Sequence, residues 1–212
     1  MSIKTNASGY DMCRQPGSRP LEIVQYPYPT LRHKSKPVRR VDKELRKMVD
    51  EMFELMFASK GVGLAANQVD LPVRLFLLNE AGNPDEAESH VFINPIVTRP
   101  KGSEEKEEGC LSFPELYAPV KRPASVHVSA YNLKGEEFEG EVDGLFGRIV
   151  QHETDHLDGV LFIDRLSTTA TMQVKEEVET FERQFASMQE RGEIPEDDAI
   201  AKRVAELEDR YC

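Results

Sequence analysis

Gly144-Leu-Phe-Gly-Arg-Ile-Val-Gln-His-Glu-Thr-Asp-His-Leu-Asp-Gly159 is the stretch on which the fold turns. Leu145, Ile149, Val150 and Leu157 recur at helical spacing between two glycines, which predicts an amphipathic helix. On that helix His152 and His156 lie four residues apart, on one face and about 6 Å apart along the axis. Both imidazoles can therefore reach one metal ion. Glu153 follows the first histidine and is rotated from it by about 100°, which leaves its carboxylate beside the ion and free to address a water.

Upstream of this helix the pattern changes to short strands. Ser125–Tyr131 alternates, and Phe138–Val142 supplies a partner across the Lys134-Gly135 turn. Val73–Leu78 and Val91–Val97 are rich in β-branched and aromatic residues and read as further strands. Ahead of them, Leu45, Met48, Val49, Met52 and Met56 mark a helix from an N-cap at Asp42 to about Ala58, closed off by Gly61-Val-Gly63. Strands with hairpin-length connections and no βαβ alternation indicate an α+β fold: antiparallel sheets around a central metal-binding helix. An N-terminal helix precedes the sheets, and a C-terminal helical extension follows.

The flanks complete the organisation. Residues 1–20 read as a flexible arm, residues 21–168 as the catalytic domain and residues 169–212 as the extension. The proline-punctuated Tyr26-Pro-Tyr-Pro-Thr30 is expected to be extended. Val174, Val178, Phe181, Phe185 and Met188 mark one amphipathic helix of the tail; Ile200, Val204, Leu207 and Tyr211 mark another. They either pack on the body of the same chain or form a seam between two copies. The tail from Ala170 carries 12 acidic and 6 basic residues, so it would not be drawn to RNA.

Composition excludes several classes of function. The 212 residues, 39% hydrophobic and 31% charged, suffice for a folded core, and the formal net charge of −11 repels phosphate backbones and anionic lipids. No run approaches the roughly 20 apolar residues of a membrane span, and residues 1–20 hold no apolar signal-peptide core. The expectation is a cytoplasmic protein that binds neither nucleic acid nor membrane. Cys13, Cys110 and Cys212 are too scattered to form a disulfide framework.

A hydrolytic zinc-type site needs three protein ligands and one open position. Cys110, Glu108, Asp158, Asp164 or a remote histidine could complete the set. No histidine follows His156, which leaves Cys110 the best placed, preceded by Gly109, whose missing Cβ lets the backbone approach a metal or substrate. Asp155 suits a supporting role, while His33, His90 and His127 read as surface or packing residues. Gly61-Val-Gly-Leu-Ala-Ala-Asn-Gln68 lacks the Lys-Ser/Thr of a phosphate loop. It is either a helix end turning into a strand or a peptide-binding edge with Gln68 as an oxyanion donor. These residues alone would also serve a general metallopeptidase or a closed-shell metal-binding module.

Gly61–Gln68 (G-x-G-x-A-A-x-Q), Glu108–Ser112 (E-G-C-x-S) and Gln151–His156 (Q-H-E-x-D-H) together, in this order and spacing, resemble the three signature motifs of peptide deformylases. The resemblance spans about residues 20–166. It implies removal of the formyl group from N-formyl-methionyl nascent peptides, with association with the ribosome as a further expectation. It also implies one divalent metal ion, most often Fe(II), with Zn, Ni or Co able to take the site, held by Cys110, His152 and His156. Glu153 is then the acid/base, Gln68 and the Leu111 backbone N–H the oxyanion donors, and Val62, Gly63 and Gly109 contacts to the peptide near an apolar pocket for methionine. Two departures stand out. Asn67 occupies a position where the family most often has proline, which is expected to loosen the loop around Gln68, and the acidic helical tail is not a shared family feature.

Overall fold

The computed structural model describes residues 21–212; the expected N-terminal arm and Cys13 lie outside the described residues. Asp42 caps α1 (Lys43–Ala58), its carboxylate accepting from the amides of Glu44 and Leu45, as a capping side chain should. Seven strands follow: β1 (Gly63–Ala65), β2 (Leu75–Leu78), β3 (His90–Lys101), β4 (Glu104–Cys110), β5 (Phe113–Arg122), β6 (Ser125–Tyr131) and β7 (Glu137–Asp143). Then come α2 (Gly144–Leu157), α3 (Thr168–Gln173), α4 (Lys175–Glu190) and α5 (Asp197–Tyr211).

Every named strand pairing is antiparallel, in a five-stranded sheet of order β1-β2-β3-β6-β7 and a separate β4-β5 hairpin. Side-chain alternation divides the sheet's two faces. Phe76, Leu78, Phe92, Val128 and Ala130 meet Ile149, Val150 and Leu157 of α2. Leu75, Leu77 and Ile93 turn the other way, toward Met48, Met52 and Met56 of α1. The α+β expectation holds, and α2 lies where both its hydrophobic and its ligand-bearing faces are covered.

Three local expectations need correction. Tyr26–Thr30 is not extended throughout: the Tyr28 amide bonds the Gln25 carbonyl in a turn, and Pro29 opens a 3-10 helix over Pro29–Arg32. Proline's fixed φ suits a turn or a first helical position as well as extended chain. The Val73–Leu78 strand shrinks to Leu75–Leu78, while the Val91–Val97 strand grows to His90–Lys101. The hairpin β4-β5 falls on residues to which the sequence reading assigns no strand.

The tail packs on its own chain. Ile200 and Val204 join Tyr28 and Leu31, and Leu207 and Tyr211 join the α1 cluster. Glu208 bonds His33 and Lys36, Arg210 bonds Glu44, and Arg203 pairs with Asp70. Cys110 and Cys212 are free thiols. Among the described residues no helix is long and apolar enough to cross a membrane.

Candidate metal centre

The helix and the hairpin bring the three candidate ligands together. α2 presents His152 and His156 on one face with ring centroids 5.0 Å apart. Cys110 ends β4, and its Sγ lies 3.3 Å from His156 Nε2. One donor atom from each of the three residues falls within a 4.8 Å cluster, a spacing that suits a single ion with thiolate and imidazole ligands. The other ligand candidates are engaged elsewhere: Asp158 with Arg74, Asp164 with Arg32.

Glu108 instead contacts a candidate ligand. Its Oε2 lies 3.1 Å from His152 Nδ1, an arrangement that fixes the ring with Nε2 free for a metal. The carboxylate is held in turn by Arg122, which bonds it through Nε and Nη2 at 2.6 and 2.9 Å, and by Arg148 at 2.6 Å. Burial works against the charged form of Glu108, but the His152 and Arg122 contacts outweigh it and hold its pKa down to about 2. Arg122 also reaches Asp155 at 2.7 Å, and Arg165 braces the same carboxylate. Asp155 is therefore a supporting residue, as its position suggested. The arginines were missed from sequence because nothing local marks them as buried; the alternation that turns Glu108 inward on β4 was the available signal.

The two histidines differ. Burial opposes a charge on His152, yet the neighbouring Cys110 and Glu108 reverse this and push its pKa up to about 10. His156 is pushed well below the ordinary histidine value, by burial first and by His152 second. A cation is thus already favoured among the three donors, and a metal ion would compete with the His152 proton for the place.

Glu153 is 4% exposed, and its Oε2 has no hydrogen-bond partner among the described residues. Burial raises its pKa to about 7, against the opposing pull of His152. Gly63 makes room for it, since a Cβ there would fall 2.4 Å from Glu153 Oε1. Gln68 accepts from the Ala65 amide at 2.9 Å and donates toward Cys110 Sγ at 3.4 Å and Ser112 Oγ at 3.2 Å. Leu111 lies in the two-residue link between β4 and β5.

These groups border a cleft of about 960 Å³, to which Val62, Gly63, Gly109, Leu111, Leu145 and Ile149 also contribute. A Cβ at Gly109 would fall 2.5 Å from the Tyr117 ring, so the missing side chain also lets that ring pack against the hairpin. Asn67 is wholly buried, donates to the His156 carbonyl at 2.5 Å and lies 3.4 Å from the Thr30 carbonyl. Its side-chain amide supplies bonds that proline could not make.

A model of the polypeptide deformylase family matches residues 20–172. The chain belongs to this family. It is 47% identical over 192 residues to the peptide deformylase of Rhodopirellula baltica, a match covering 91% of this chain and 96% of that one. It is 41% identical to "Peptide deformylase 1B, chloroplastic/mitochondrial" of Arabidopsis thaliana, covering 87% of this chain and 67% of that one. Among solved structures, a plant peptide deformylase superposes with a TM-score of 0.79 at 41% identity, over 84% of this chain and 96% of that one. The enzyme is a deformylase, a hydrolase that removes the N-formyl group from nascent polypeptides, and the family implies a divalent metal, for which the Cys/His/His group is present.

Proposed function

We propose that deformylation proceeds at the cleft floor, with Cys110, His152 and His156 holding a divalent ion that is Fe(II) in the cell. The observation that carries this reading is the convergence of the three donors beside the buried, unpartnered carboxylate oxygen of Glu153. A bound divalent ion supplies a Lewis acid and lowers the pKa of water toward neutrality. Glu153 takes the proton of the attacking water as its oxygen adds to the formyl carbon, then returns a proton to the leaving amine, giving formate and a free N-terminus. Burial raises its pKa, which favours its holding the proton between those two steps. Gln68 and the Leu111 amide donate to the developing oxyanion. Val62, Gly63 and Gly109 flank the peptide, and Val62, Leu145 and Ile149 offer apolar surface to the methionine side chain.

The variant Glu153→Ala is expected to retain a metal equivalent while losing turnover of formyl-Met peptides; near-normal turnover would overturn the assignment. Iron is tested by anaerobic purification with metal analysis, followed by activity before and after exposure to air. Activity indifferent to air would favour zinc or nickel. We place the enzyme in the cytoplasm, at the ribosome's emerging chains, acting as a monomer; the packing of α5 on its own body supports the last point.

A further inference from the structure

The family match ends at residue 172, and α4 lies wholly beyond it. Yet two consecutive residues of α4 reach the back of the metal-bearing turn. The Phe181 ring meets Phe113 edge-on with centroids 5.7 Å apart, and Phe113 is the residue paired with Cys110 across the hairpin end. Glu182 accepts a hydrogen bond from Tyr26 Oη at 2.9 Å. Tyr26 stacks on the other side of Phe113 at 4.9 Å, and its amide donates to the Ser112 carbonyl at 3.0 Å.

The turn Cys110–Phe113 is therefore gripped from two directions. On the cleft side Gln68 contacts Cys110 Sγ and Ser112 Oγ. Away from Gln68, Tyr26 holds it through the Ser112 carbonyl and the Phe113 ring, and α4 contacts Tyr26 through Glu182 and Phe113 through Phe181. Phe113 also stands edge-on to Phe162 at 5.3 Å, whose ring lies 6.3 Å from His152. Residues that support ligands from behind tune metal affinity by fixing ligand orientation.

We propose that α4 is part of the metal centre's support, with Phe181 and Glu182 as positioning residues that fix the Cys110–Ser112 turn through Phe113 and Tyr26. The proposal rests on the reading of Cys110 as a metal ligand. A purely structural α4 would contribute stability alone and leave the ligand geometry unaffected.

Co(II)-loaded full-length enzyme separates these roles, because cobalt–thiolate absorption reports on Cys110 and transfer to a chelator gives the rate of metal loss. Phe181→Ala and Glu182→Ala are expected to release Co(II) about tenfold faster, by the usual size of such support effects, with a shifted thiolate band. Glu182→Gln keeps an acceptor for Tyr26 and should restore the wild-type rate. Met48→Ala, in the buried α1 core, should lower the melting temperature without altering release. If the α4 variants lose thermal stability as Met48→Ala does but release cobalt at the wild-type rate with an unshifted band, the proposal is overturned. A wild-type enzyme that shows no cobalt–thiolate band would overturn the ligand assignment itself, and this proposal with it.

Discussion

Helices α2 and α4 are nearly the same length, 14 and 16 residues, and both show apolar residues at helical spacing, yet they occupy opposite extremes of burial. In α2 ten residues are buried, including Arg148, Glu153, Asp155 and His156; in α4 none is. The difference lies in what surrounds the polar face. Each buried charge on α2 except Glu153 meets a partner from the hairpin or the neighbouring chain, while the charges of α4 face water. An amphipathic pattern thus specifies a helix, but its depth is set by whether other elements can satisfy its polar side. Glu153, whose buried Oε2 has no partner among the described residues, is the exception on α2.

The largest expected effect lies on α2. Glu153→Ala should lower kcat for formyl-Met peptides by roughly two to four orders of magnitude, measured beside metal content, and no comparable loss should follow any single alanine on α4. Next comes the ion network. Arg122→Met leaves Glu108 and Asp155 buried without their shared partner, and urea unfolding should show a loss of about 3–5 kcal/mol. A loss below ~1 kcal/mol would mean that Arg148 and Arg165 carry the two carboxylates unaided.

Acid should find the same network. Glu108 has a folded pKa depressed to about 2 from an ordinary 4.5, so the stability it contributes is complete above pH 4.5 and is lost as pH falls toward 2. The amount is on the order of 3 kcal/mol, and Glu108→Gln should flatten this part of the stability–pH curve. Replacing Asn67 with Ala removes one hydrogen bond from the His156 carbonyl, which keeps the bond from the Gly159 amide, and should cost about 0.5–1.5 kcal/mol, read by thermal unfolding. The smallest effect belongs to α4: breaking the exposed Glu179–Arg183 pair should change stability by no more than about 0.5 kcal/mol.

How much of this was legible in the sequence follows the same division. α1, α2, β6 and the tail helices were readable because local periodicity and caps such as Asp42 act within a few residues. The three motifs named residues that the fold gathers at one cleft, with Cys110, His152 and His156 as a group that could hold a metal and Glu153 beside them. The hairpin was hidden because its five-residue charge run conceals one inward glutamate, and its register partner for Glu108, Ala118, lies ten residues away. Arg122 and Arg148 were illegible for a related reason: only the assembled fold removes their guanidinium groups from water. The contact made by Asn67 was not legible because a comparison with proline weighs backbone stiffness alone, whereas its side-chain amide bonds a helix 89 residues downstream.

That bond has a thermodynamic corollary. Asn67 precedes Gln68 and grips the carbonyl of His156, so the group that would greet the substrate's carbonyl and a residue that would greet the ion share one tether. Whatever orders one end lessens the entropic cost of ordering the other, and linkage makes the benefit reciprocal. Metal loading should then tighten peptide binding by the same factor by which bound peptide slows metal escape, and loosening residue 67 should shrink both factors together.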